Sequence, residues 1–138
     1  MAKKAKKRRF PKPSEAELRI LNVLWQNGPS TVREVFEQLE PITHVGYTTI
    51  LKLMQIMHEK GLAKRDERAR SRIYSATVPC GDVQDLLVDD LVASAFGGSK
   101  KRLVLQILEN ADASPDEMVE IRRLLQHLDQ QPNRGTEP

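Results

Sequence analysis

Aromatic residues are scarce in this chain of 138 residues: three Phe, two Tyr and one Trp, 4% of the whole. Hydrophobic residues make up 39%, so the core must be aliphatic, which suits packed helices. The single cysteine, Cys80, excludes an intrachain disulfide framework and a multi-thiolate metal site. The three histidines, His44, His58 and His127, are isolated from one another and from Cys80, so no metal-ligand cluster is expected. No run approaches the roughly 18 apolar residues of a membrane span. The basic N-terminus also lacks the following apolar stretch of about 7–15 residues that marks a signal peptide. There is no phosphate-cradling glycine loop and no dinucleotide fingerprint. Asp89 and Asp90 form a carboxylate pair, but neighbours on a helix point apart and make a poor acid/base dyad. These absences predict a cytoplasmic protein that is not an enzyme, uses no cofactor or metal, and has no membrane partner.

What is present is charge, and it is segregated. The formal net charge is only +3, yet residues 1–12 hold seven Lys/Arg and no acid. Residues 13–40 hold two basic and five acidic residues, residues 41–78 seven and three, and residues 79–138 six and eleven. Positive charge therefore gathers in an N-terminal arm and in the middle of the chain, as expected if a polyanion meets one side of the molecule. The arm, residues 1–12, lacks apolar periodicity and is expected to be flexible when free. It serves either to follow phosphates or a minor groove, or simply as a solubilising tail. In a eukaryotic protein it would also read as a nuclear localisation signal.

Helices follow in a recognisable order. Ser14 and Glu17 form a capping box, Leu18, Leu21, Leu24 and Trp25 mark a buried face, and Asn27-Gly28-Pro29 stops the first helix. Thr31 and Glu34 form a second capping box. Val32, Val35, Phe36 and Leu39 give a short second helix expected to end before Pro41, with a connection over Glu40–Val45. A third helix spans Gly46 to Lys60. Its Ile50, Leu53, Met54 and Met57 should face a core, whereas Thr48, Lys52, Gln55 and Glu59 share another face. Polar residues on such a face can hydrogen-bond base edges or phosphates, which points to a recognition helix in a DNA major groove. Gly46 either lets the backbone approach a phosphate or merely caps the helix.

Ala63 to Val78 alternates at its ends and carries Arg68, Arg70 and Arg72 at its centre. This predicts a two-stranded β-hairpin, Tyr74, Ala76 and Val78 on one face, with an arginine-rich turn that grips phosphates. Three helices and a hairpin make a winged helix-turn-helix domain over 13–78. The expected DNA-facing residues are Thr31, His44, Gly46, Tyr47, Thr48, Thr49, Lys52, Gln55, Arg68, Arg70 and Arg72. Residues 79–131 then suggest three further helices: one ended by Gly97-Gly98, one from Lys100 to Asn110, and one opened by a Ser114–Glu117 capping box with Pro115 at its first position. About fifty residues in three amphipathic helices cannot bury their own apolar surface. Leu86, Leu87, Leu91, Leu103, Val104, Ile107, Leu108, Met118, Ile121, Leu125 and Leu128 are therefore expected to form a homodimer interface, in preference to packing back on the first domain. Residues 132–138 are expected to form a flexible tail. The fold class is thus mainly α with a small β-wing.

Several of these residues carry a family resemblance. Pro13-Ser14-Glu15-Ala16-Glu17, Val23-Leu24-Trp25, Gly46-Tyr47-Thr48-Thr49-Ile50 and Glu59-Lys60-Gly61-Leu62, in this order, resemble the penicillinase-repressor family, which includes BlaI, MecI and the copper-responsive CopY branch. The Gly97-Gly98 break followed by Leu103-Val104 resembles the same family's C-terminal half. The resemblance implies a homodimeric winged-helix repressor on an inverted-repeat operator, with Thr48, Thr49 and Lys52 at DNA-facing positions. It also implies a sensor or protease that relieves repression, of a kind these residues leave open. The copper branch carries a C-terminal cysteine cluster, and this chain has Cys80 alone. Antibiotic-responsive members are cleaved at an Asn-Phe bond just after the Gly-Gly break, where this chain has Ser99-Lys100. Two other readings compete: a winged-helix protein-interaction scaffold without sequence-specific DNA binding, and RNA binding through the basic arm.

Overall fold

The computed structural model describes residues 10–68, 70–110 and 114–130, with only the backbone of Leu128 and Gln130. The expected arm as far as residue 9 and the tail over 132–138 lie outside the described residues, as does the Leu128 side chain. The elements are α1 (Glu15–Asn27), β1 (Ser30–Thr31), α2 (Val32–Thr43), α3 (Tyr47–Lys60), β2 (Ala63–Asp66), β3 (Ile73–Ala76), α4 (Cys80–Ala95), α5 (Lys100–Glu109) and α6 (Pro115–Gln130). The chain divides into two compact units, Met1–Leu91 and Val92–Pro138.

In the first unit the helix starts follow the local chemistry. The Ser14 hydroxyl accepts from the Glu17 amide at 3.1 Å while Glu17 Oε1 accepts from the Ser14 amide at 2.9 Å. Thr31 and Glu34 repeat the arrangement at α2, also at 3.1 and 2.9 Å. Each box satisfies two amide donors that a helix start leaves unpaired. The end of α2 differs from expectation. Pro41 sits inside the helix, which continues to Thr43. Proline near a helix end forfeits one hydrogen bond, and here Pro41 is solvent-exposed. Termination falls instead to His44, which adopts a left-handed backbone (φ 58°) and donates its amide to the Glu40 carbonyl at 2.8 Å. At the end of α3 that role belongs to Gly61, φ 86°, where a side chain would be strained.

The sheet has three strands rather than the expected two, in the order β1-β3-β2 and antiparallel throughout. Ser30 and Thr31 pair with Tyr74 and Ile73, so the linker between α1 and α2 closes the sheet from the other side. Two residues carry no readable alternation, which is why a sequence pattern cannot announce β1. The hairpin itself pairs Ala63 with Ala76 and Asp66 with Ile73.

One aliphatic core holds this unit. Ile20, Leu21 and Leu24 of α1, Val35 and Leu39 of α2, and Ile50, Met54 and Met57 of α3 meet Leu62, Tyr74, Val78 and Val83. Each such side chain contributes about 1.5–3 kcal/mol by leaving water. Leu53, expected in this core, is only partly buried at its margin. Trp25 anchors the far side: its indole donates to the Val78 carbonyl at 2.9 Å across 53 residues of sequence. Glu17, 2% exposed, reaches the Lys60 ammonium at 2.9 Å and so ties the start of α1 to the end of α3. Phe10 packs against the core, and Lys12 pairs with Asp90 of α4 at 3.2 Å, so these two residues of the expected arm are fastened.

The first unit also takes in α4 as far as Leu91. Val83 belongs to its core, Leu87 packs against that core and Leu86 is 1% exposed. Of the residues expected at a subunit interface, Leu86 is thus already buried in the single chain and Leu87 is partly covered by this core. A sequence pattern shows that a helix face is apolar but not which partner covers it.

In the second unit Gly97 and Gly98 both have positive φ and separate α4 from α5. The Ser99 hydroxyl caps α5 by accepting from the Arg102 amide, and Ser114 caps α6 by accepting from the Glu117 amide, both at 3.1 Å. No residue of α5 is buried. Val104, Leu105 and Ile107 of α5 and Val119, Leu124 and Leu125 of α6 are exposed, while Leu103, Leu108, Met118 and Ile121 are partly covered.

Candidate nucleic-acid interface

Helix α3 turns Ile50, Met54 and Met57 inward at steps of four and three. That stripe fixes the helix about its axis and aims the opposite side at solvent. Thr48, Thr49, Lys52 and Glu59 are exposed and Gln55 is partly covered. Four of these five can meet an external hydrogen-bonding surface without disturbing the core, while Glu59 at the far end would repel phosphates. The first turn of α3 contains no acidic residue, and its N-cap, Gly46, supplies no side-chain hydrogen bond. The leading amides therefore keep their partial positive charge. Gly46 has an ordinary φ of −76°, and a Cβ there would meet nothing within 4 Å. Neither backbone conformation nor internal packing demands glycine at this position. His44 is exposed just before this start.

Three elements converge on a cleft of about 350 Å³ lined by Thr31, Val32, Arg33, Tyr47, Leu51, Arg70, Ser71, Arg72 and Tyr74. It brings together the start of α2, the start of α3 and the turn of the hairpin. Arg33, Arg70 and Arg72 supply three positive charges, and no lining residue is acidic. Arg33 was not among the sequence candidates. Its guanidinium carbon lies 4.8 Å from the Tyr47 ring centroid and 5.8 Å from that of Phe36. The two rings meet edge to face, 5.8 Å apart at 75°. Arg33 thus rests on an aromatic platform built from two helices, an attraction worth about 0.5–1 kcal/mol at an exposed site. The sequence offered only a faint signal for it, a cation two residues into a capped helix that precedes the polar-faced one.

The expected arginine turn splits into two roles. Arg70 and Arg72 are exposed and line the cleft. Arg68 forms a fork with Asp66 instead: Nε to Oδ1 at 3.1 Å and Nη2 to Oδ2 at 3.0 Å, with the Arg68 amide also donating to Oδ1 at 3.0 Å. The Arg68 guanidinium, then its amide, pull the Asp66 carboxyl down to about 2. Arg65 is likewise engaged with Glu67 at 2.8 Å. The Thr31 hydroxyl is spent on the Glu34 amide, so at the cleft Thr31 is a wall rather than a free donor. Elsewhere, among the described residues, no three His, Cys, Asp or Glu side chains are grouped to hold a metal ion, and no helix is long and apolar enough to cross a membrane.

Comparison with known proteins places this geometry in context. Residues 13–127 match the sequence profile of penicillinase repressors. The penicillinase repressor of Bacillus licheniformis is 25% identical over 130 residues, 94% of this chain and 99% of that protein. The transcriptional regulator BlaI of Mycobacterium tuberculosis is 28% identical over 117 residues, 83% of each chain. The methicillin resistance regulatory protein MecI of Staphylococcus aureus is 24% identical over 112 residues, 81% of this chain and 91% of that one. Among solved structures, the DNA-binding domain of the repressor BlaI superposes with a TM-score of 0.48 at 23% identity, covering 54% of this chain and 90% of that one.

Proposed function

The chain belongs to the penicillinase repressor family, and from that premise we propose how it reads and releases its operator. It is a DNA-binding transcriptional repressor, working in the cytoplasm on an inverted-repeat operator. The observation that carries the reading is the exposed polar face of α3, set beside a cleft with three arginines and no acid. Helix α3 enters the major groove. Thr48, Thr49, Lys52 and Gln55 face base edges, with His44, Gly46 and Tyr47 at the groove's rim. Arg70 and Arg72 hold phosphates from the hairpin side, joined by Arg68 where a phosphate displaces Asp66.

Two copies act together. The apolar residues that α5 and α6 leave in solvent support a homodimer built on Leu91, Leu103, Val104, Ile107, Leu108, Met118, Ile121 and Leu125. Such a dimer sets two copies of α3 about one helical turn, roughly 34–36 Å, apart on a palindrome. Anything that parts the protomers, whether a sensor protein or a protease acting on the second unit, uncouples the half-sites and lowers operator occupancy.

Sites selected from genomic fragments, followed by anisotropy titration with Lys52→Ala, test the reading. The variant should lose about 1–3 kcal/mol of specific binding and relax the preference at one base pair. Unchanged affinity removes Lys52 from the interface. A wild-type protein that binds no DNA at low salt replaces the repressor mechanism with a protein-interaction scaffold.

A further inference from the structure

Tyr47 opens the recognition helix, is 37% exposed, and invites assignment as a base or phosphate contact in its own right. The geometry points to a different division of labour: we infer that Arg33 is a DNA-backbone contact and that Tyr47 is its positioning residue. This rests on the DNA-binding reading given above and names a contact within it.

The ring face of Tyr47 is already covered by the Arg33 guanidinium at 4.8 Å, and Phe36 abuts the same ring edge to face. With one face beneath the guanidinium and Phe36 against the ring, Tyr47 is already engaged in holding Arg33. Arg33, by contrast, keeps its donors: the described residues give it ring contacts and no carboxylate. Stacking removes much of the rotamer freedom that an arginine otherwise loses on binding, so the fork is pre-organised for a phosphate. Its location suits this use. Arg33 lies in the first turn of α2, the helix that crosses the backbone when the following helix enters the groove. It lines the same cleft as Arg70 and Arg72, so a phosphate bound there is within a cleft that carries arginines from both α2 and the hairpin turn.

Salt-dependent DNA binding distinguishes the roles. Arg33→Ala should weaken operator and unrelated DNA alike, by about tenfold per protomer, and lower the slope of log affinity against log salt by about 0.9 per protomer. Tyr47→Phe keeps the ring and should bind as the wild type does. Tyr47→Ala should reproduce part of the Arg33→Ala loss, and combining the two should add little. Arg33→Lys keeps the charge but not the stacked plane and should fall between. Arg19→Ala, on the exposed side of α1, should change nothing, and thermal midpoints should stay together across the set. Arg33→Ala with wild-type affinity and slope overturns the inference while leaving the DNA-binding reading intact. Tyr47→Ala that alters sequence preference, or that adds fully to Arg33→Ala, returns Tyr47 to direct contact and overturns its positioning role. A wild-type chain that binds no DNA takes down both readings.

Discussion

The two units spend their apolar residues in opposite ways. In the first, Ile20, Leu21, Val35, Met54, Met57, Leu62 and Tyr74 are essentially inaccessible to water, and Trp25 packs against the same core. In the second, α5 buries nothing, and Ile107 and Leu124 remain 55% and 57% exposed. Both outcomes occur within one helix: in α4 Leu86 and Val92 are 1% and 5% exposed, while Val88 and Leu91 are 42% and 44% exposed. All four are apolar, so residue type alone does not decide whether a side chain finds cover. Three helices and a sheet enclose a core. The apolar faces of α5 and α6 are left without that cover, which is the basis of the proposed homodimer.

The contrast can be broken by mutation. The largest effect should come from the first unit's core: Leu21→Ala should cost about 2–5 kcal/mol, read as a lower urea midpoint for its unfolding transition. A cost under about 1 kcal/mol would mean that this core is looser than its burial suggests. Next comes the tie between α1 and α3. Glu17→Gln should cost about 1–2 kcal/mol, discounted because the Lys60 side chain is 38% exposed. Burial alone would raise the Glu17 carboxyl, but the Ser14 amide and the Lys60 ammonium outweigh it and hold the group below its ordinary value of 4.5. Its contribution is therefore fully present above pH 4.5 and is lost as the pH falls through the lower folded value. Acid titration of stability should show that loss in the wild type and not in Glu17→Gln. The smallest effect on the first unit should come from Ile107→Ser combined with Leu125→Ser, under about 0.5 kcal/mol. The same double variant should convert a dimer to monomer in sedimentation equilibrium. Should the wild type sediment as a monomer, the exposed faces of α5 and α6 need another explanation.

Much of the reading domain was legible before the structure. The capping boxes at Ser14 and Thr31 are spelled in consecutive residues, and the inward stripe of α3 repeats at helical spacing. What escaped detection depends on neighbours distant in sequence or on too few residues. Strand β1 is two residues long. Glu17 meets Lys60 across 43 positions. Arg33 matters because Tyr47 lies beneath it, and Arg68 leaves the free arginines because Asp66 sits within reach.

The sequence by itself determined where helices start, which residues face inward and where positive charge accumulates, because these follow from local hydrogen bonding and from the 3.6-residue period. Only the tertiary structure decided which charges stay available and which apolar faces stay open. Each depends on what the fold brings within a few ångströms: a carboxylate beside Arg68, a ring beneath Arg33, a core around Val83 and solvent over Ile107.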